Sequence, residues 1–80
     1  MPRIDPPPEW VLQQRRAIGA RIRSARRSRR LSQEKLAEMA GLDRQAIGKI
    51  ELGYTSPLLD SLLRIADALD VDLADLVRRP

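Results

Sequence analysis

The 80-residue chain contains no cysteine, no histidine and no phenylalanine, and it has only one tryptophan and one tyrosine. Without cysteine it forms no disulfide, and without cysteine and histidine it lacks the thiolate and imidazole ligands of most zinc sites. The absence of histidine also removes the commonest general acid and base. The composition therefore predicts no metal ion, no cofactor and no catalytic activity.

Long apolar runs are missing as well. None approaches the roughly 18 residues of a membrane-spanning helix, and the N-terminus lacks the apolar segment of a signal peptide. We therefore expect a cytoplasmic protein without a membrane partner. A chain of 80 residues with 42% hydrophobic residues is expected to form one small domain with a modest core.

Positive charge is concentrated in the first part of the chain. The net charge is +4, but residues 1–30 hold nine arginines against two acids, whereas residues 51–80 hold six acids against three arginines. Eight arginines and no acid lie between Arg15 and Arg30. Because such a density repels itself unless anions offset it, this stretch is either a solvated face or a surface that meets phosphates.

The spacing of apolar residues predicts five helices behind an N-terminal arm. The proline-rich residues 1–8 are expected to be extended, and residues 9–80 are expected to form a single domain. The first helix is predicted over about 9–29, the fourth over about 59–69, and a short fifth helix after Asp72. On the fourth helix we expect burial of Leu62, Leu63, Ala66 and Leu69.

Residues 31–53 contain two short helical patterns separated by a turn. Ser32 and Asp43 are suited to cap the two helices, and apolar residues recur at helical spacing in each. Gly41 is expected to adopt the left-handed conformation that lets the chain reverse. This order is typical of a helix-turn-helix, with its second helix over 44–52.

From Gly19 to Val77 the chain resembles the phage-repressor (Cro/Xre-like) helix-turn-helix family of DNA-binding transcription regulators. The resemblance rests on Ile22, Arg26, the Leu-Ser-Gln-Glu-Lys-Leu-Ala block at 31–37, Gly41-Leu42, residues 47–53, and Pro57 through Leu69-Asp-Val. It implies an all-α, compact five-helix domain that places its third helix in the major groove, commonly as a homodimer on a near-palindromic operator. The expected function is that of a sequence-specific regulator that binds double-stranded DNA, a repressor or autoregulator.

The recognition helix carries the expected base contacts. Arg44 and Gln45 open it, and their side chains fit guanine O6 and N7 and adenine N6 and N7, respectively. Lys49 lies one turn further and is expected to reach a base edge or a phosphate, with a solvated lysine as the alternative. Gly48 is expected to let DNA approach the backbone of the recognition helix closely. The alternative is that this glycine has no function and is merely tolerated.

Phosphate contacts are expected around that helix. Gln33 matches the family position at the start of helix two that touches a phosphate or an adjacent base edge. The other candidates are basic residues of the first helical region and polar residues of the loop after helix three: Arg23, Arg27, Arg30, Tyr54 and Thr55. Arg26 and Glu51 resemble the family's scaffold pair, in which an ion pair joins helix one to the end of helix three.

Three residues depart from the family pattern. Arg30 stands where a helix-ending glycine is common, Leu58 replaces the serine or threonine usual before helix four, and Leu52 replaces a polar residue. Apolar residues at positions where the family has polar ones, such as Leu52 and Leu58, predict a dimer surface. The alternative is that they belong to the core. The predicted surface comprises Leu52, Leu58, Leu73, Leu76 and Val77, with Trp10 beside them.

Three rival functions compete with DNA regulation. The same fold serves an antitoxin-like or co-regulator module that binds a protein partner, which differs in failing to bind a defined duplex alone. An arginine-rich helix can bind anionic membranes, but residues 15–30 have few bulky apolar residues and no aromatic residue. A metal enzyme would use Asp67, Asp70, Asp72 and Asp75, which are better explained as caps and surface groups.

Overall fold

The computed structural model describes residues 5–79, so part of the predicted arm, residues 1–4, lies outside the described residues. The described chain contains five α-helices and no strand: α1 (Glu9–Ser28), α2 (Gln33–Ala40), α3 (Arg44–Glu51), α4 (Leu59–Leu69) and α5 (Leu73–Val77). The all-α class and the five-helix order are therefore confirmed. None of these helices is long and apolar enough to cross a membrane.

A single hydrophobic core joins the helices. α2 packs against α3 and α4, while α1 packs against α3, α4 and α5. Each of the first four helices contributes at least one fully buried large side chain, and α5 adds a leucine that closes the core from the C-terminal side. These residues are Ile22, Leu36, Ile47, Ile65, Leu69 and Leu76.

The ends of the helices show how the chain reverses between α2 and α3. The Ser32 hydroxyl accepts a hydrogen bond from the Lys35 backbone N–H at 3.0 Å, and so caps α2 as expected. Gly41 ends α2 with φ of 69°, in the left-handed region. Asp43 occupies the N-cap position of α3, but its side chain makes no capping hydrogen bond.

Two predictions about burial are wrong, and two helix ends differ by one residue. Leu63 is half exposed, whereas Ile65 is fully buried, because the face of α4 that meets the core passes through Ile65 and Leu69. Leu76 is buried between α5 and the core, so it does not belong to a dimer surface. α1 ends at Ser28, and α3 ends at Glu51 with the next residue as its C-cap.

Candidate nucleic-acid interface

The C-terminal end of α3 packs directly on the backbone of α1. A Cβ atom added to Gly19 would lie 2.6 Å from the carbonyl oxygen of Glu51, so only glycine permits this approach. Just beyond α3, Gly53 has φ of 73°, and an added Cβ would lie 2.8 Å from the Cα of Arg16. Arg15 Nε donates to the Gly53 carbonyl at 2.9 Å. The end of α3 is therefore held against α1 on both sides.

A buried ion pair adds a second link between these helices. Arg26 Nε donates to Glu51 Oε2 at 2.7 Å, and its Nη2 donates to Oε1 at 3.0 Å. The hydrogen bond with Glu51 raises the pKa of Arg26 above its usual value, while burial acts in the opposite direction. Gln33 Nε2 also donates to Glu51 Oε1, at 3.1 Å. One carboxylate thus ties α1, α2 and α3 together.

The eight arginines between residues 15 and 30 fall into two groups. Five of them have partners inside the molecule: Arg15, Arg16, Arg21, Arg26 and Arg29. The other three are exposed and form no ion pair among residues 5–79: Arg23, Arg27 and Arg30. Arg23 and Arg27 are four residues apart, so they project from one face of α1. The uncompensated charge of the arginine run is concentrated on these three side chains.

Two shallow clefts touch α3, one along its length and one at its C-terminal end. Arg23 and Arg27 border one of them, and Glu51 lies in its wall. Gln45, Lys49 and Thr55 line the other. Gln45, Lys49 and Thr55 therefore lie along α3, and Arg23 and Arg27 lie on α1 near the C-terminal end of α3.

The open face of α3 lies close to the start of α2. Arg44, Gln45 and Lys49 are exposed. An added Cβ on Gly48 would lie 3.8 Å from Gln33 Oε1, which is ordinary contact, so the packing does not require glycine at this position. Gln33 itself is partly buried, because its amide is directed toward Glu51.

The two remaining phosphate candidates lie in turns. Arg30 follows α1 with φ of 57°, which is a left-handed conformation that side chains other than glycine adopt at a cost. The Tyr54 N–H donates to the Lys49 carbonyl at 2.9 Å, and its ring is largely exposed. The backbone hydrogen bond therefore fixes the start of this loop to α3.

The predicted dimer surface is divided by the structure. Leu52 and Leu58 are exposed, whereas Leu73 and Val77 are partly buried against the core. Sequence reasoning missed Leu59, which is exposed on α4 together with Leu63. The sequence signal for Leu59 and Leu63 is their spacing of four residues, which places the two leucines on one face of α4.

A family model described as helix-turn-helix matches residues 22–76, which is more than half of the chain. The chain belongs to this helix-turn-helix family. It is 37% identical over 60 residues to the immunity repressor protein of Bacillus phage phi105, covering 75% of this chain and 42% of the repressor. It is also 37% identical over 62 residues to the control protein C.SmaI of Serratia marcescens, covering 78% and 74%, respectively.

A solved structure shows a similar arrangement of helices. The restriction-modification controller protein C.AhdI from Aeromonas hydrophila has a TM-score of 0.78 and 38% sequence identity, over 80% of this chain and 97% of that protein. Several curated relatives are longer, and this chain spans about half of their length, the phage repressor among them. The family match, residues 22–76, makes up most of this chain.

Proposed function

We propose that this protein is a sequence-specific transcriptional regulator that binds double-stranded DNA, a repressor or autoregulator without a catalytic step. The observation that carries the proposal is the position of the three unpaired arginines, since two of them border a cleft on α1 that reaches the C-terminal end of α3. Phosphates supply the missing counter-charge, and the exposed face of α3 supplies base contacts. The similarity to an immunity repressor and to control proteins supports regulation as the purpose of this binding.

The side chains divide into two roles. Arg44, Gln45 and Lys49 read base edges in the major groove, and Gly48 leaves room for close approach. The phosphate contacts come from Gln33, Arg23, Arg27, Arg30, Tyr54 and Thr55. In a homodimer the two copies of α3 lie about 34 Å apart, one DNA turn, and so meet the halves of a near-palindromic operator in the cytoplasm.

Selection of duplexes from a random pool tests this function. The purified chain is incubated with the pool near physiological salt, where non-specific basic binding fades and specific contacts persist. We expect a near-palindrome with half-sites one turn apart. Recovery of no consensus contradicts the proposal and directs attention to a protein partner.

A pair of variants then separates base reading from phosphate binding. Gln45→Ala is expected to weaken binding to the selected site by about 1–3 kcal/mol and to relax the preference at one base position. Arg23→Ala is expected to weaken binding to all duplexes nearly equally and to flatten the salt dependence. Equal weakening on every sequence by Gln45→Ala would remove this residue from the base contacts.

A further inference from the structure

An apolar groove of about 290 Å³ lies between the start of α1 and the start of α4. Trp10, Val11 and Ile18 line it from α1, and Pro57 and Leu62 line it from the opposite side. The family model begins at residue 22, so the α1 side of the groove belongs to a segment outside that match.

Exposed apolar side chains lie at this groove or next in sequence to residues that line it. Leu58 directly follows Pro57 and is 73% exposed, while Trp10 is 59% exposed. Leu59 and Leu63 continue the apolar surface along α4, where Leu59 is one helical turn from the groove residue Leu62. We call these four side chains, Trp10, Leu58, Leu59 and Leu63, the rim of the groove.

Leu58 is an unfavourable residue for its local position. It is the N-cap of α4, where a serine or threonine side chain accepts a hydrogen bond from the free backbone N–H groups, and it makes no such bond. An exposed apolar side chain at a position that favours a capping hydroxyl is expected at a functional surface, where a second molecule covers it.

The amount of apolar surface fits a protein partner. The rim leaves roughly 200–400 Å² of apolar area in water, and the groove walls add to it. A standard interface takes about 800 Å² from each partner, of which slightly more than half is apolar. A small ligand inside the groove would leave Leu58 and Leu59 in water, whereas a second protein surface covers the groove and the rim together.

The shape of this surface fits a second copy of the same chain. A two-fold interface places the same patch on both partners, so each projection must find a recess on that patch. Leu58 is such a projection, and the groove beside it is such a recess. Ile50 and Pro57 line both the groove and the cleft that contains Gln45 and Lys49, so this surface borders the DNA-reading side.

We propose that the groove and its rim are the surface through which two copies of this chain associate, with Leu58 of each copy seated in the groove of the other. The proposal deepens the homodimer of the proposed function and rests on it.

Sedimentation equilibrium of the full chain without DNA tests the proposal. We expect a reversible dimer whose dissociation constant rises at least tenfold in Leu58→Ser and in Leu63→Gln. Leu58→Ser supplies α4 with a capping hydroxyl, so it removes the projection while favouring folding. The matched control is Met39→Gln, because Met39 is 48% and Leu63 47% exposed and both lie within helices. Thermal unfolding followed by circular dichroism verifies that each variant is folded.

Trp10 provides an independent measurement, because it is the only tryptophan in the chain. Its emission is expected to shift to shorter wavelength, and its quenching by acrylamide to fall, as the concentration of the native chain rises. Folded Leu58→Ser is expected to show neither change at the same concentrations. A monomeric native chain, or equal dissociation constants for Leu63→Gln and Met39→Gln, overturns the proposal.

Binding to a duplex with a single half-site distinguishes this proposal from the proposed function. If the surface is correct, Leu58→Ser keeps the half-site affinity of the native monomer and loses only the additional affinity for the full operator. A native dimer that is disrupted by Leu58→Ser but binds no duplex supports the surface and contradicts DNA regulation. A native monomer that binds a half-site supports DNA binding and overturns the surface.

Discussion

Glu51 joins α3 to α1 and α2 through its carboxylate. Glu51→Gln keeps the size of the side chain but leaves the guanidinium of Arg26 buried without its counter-charge. Removal of one partner of a buried ion pair costs about 3–5 kcal/mol, so we expect a loss of unfolding free energy near the lower end of this range. Urea unfolding measures the loss. Simultaneous replacement of Arg26 and Glu51 by leucine is expected to recover much of it, and a Glu51→Gln variant as stable as the native chain would contradict this role.

Arg30 combines backbone strain with an unpaired charge. Its left-handed conformation, with φ of 57°, costs about 1–2 kcal/mol for a residue with a Cβ atom and nothing for glycine. Arg30→Gly removes this strain, but glycine also gains entropy in the unfolded chain, which offsets part of the gain. We therefore expect the variant to stabilise the fold by up to about 1 kcal/mol. The same change is expected to weaken DNA binding and to lower the slope of log K against log salt by about 1. Stabilisation without a change in this slope would remove Arg30 from the phosphate contacts.

At the scale of secondary structure, two helical glycines are expected to respond in opposite directions to alanine. Gly19→Ala places a methyl group 2.6 Å from a backbone oxygen at the end of α3, so the helices must separate. Overpacking of this kind costs about 1–3 kcal/mol. Gly48→Ala meets only ordinary contacts and gains up to about 1 kcal/mol of helix propensity. Denaturant unfolding of both variants measures the contrast.

DNA binding by Gly48→Ala tests why glycine stands in α3. If Gly48 admits DNA closely, the variant binds the selected operator more weakly although its fold is more stable. If glycine at this position has no role in binding, the affinity for the operator stays within about twofold of the native value. A twofold change corresponds to about 0.4 kcal/mol of binding free energy. Opposite changes in stability and affinity would assign the residue to the interface.

Local signals predicted the helices better than they predicted burial. α4 spans Leu59–Leu69 as expected, because its periodic apolar residues and the preceding proline both mark its start. Burial depends on which neighbour covers each face, and the leucine-rich pattern of α4 permits more than one face. The sequence pattern alone therefore predicts burial of Leu63 and does not identify Ile65 as a core residue. The free arginines of α1 also require tertiary structure for their identification, because the partners of Arg15 and Arg21 lie in distant loops and helices.

At the scale of the whole molecule, charge is unevenly distributed over the surface. Four carboxylates line a cleft where α4 meets α5: Asp67, Asp70, Asp72 and Asp75. Among residues 5–79, no group of three or more potential ligands is arranged to hold a metal ion. If the domain binds DNA as proposed, phosphates repel this acidic end and attract the unpaired arginines of α1, so we expect electrostatics to orient the domain during its approach.

The spacing between operator half-sites tests the assembly as a unit. Two copies associated through the proposed surface have little freedom to follow half-sites that move apart. An insertion of about five base pairs rotates one half-site by half a turn to the opposite face of the duplex. We expect affinity to fall to that of a single half-site. An insertion of a full turn, about 10 base pairs, restores the face but adds about 34 Å of separation, so affinity is expected to stay low. Fluorescence anisotropy with labelled duplexes measures each case, and unchanged affinity on the five-base-pair insertion would show that the two copies bind independently.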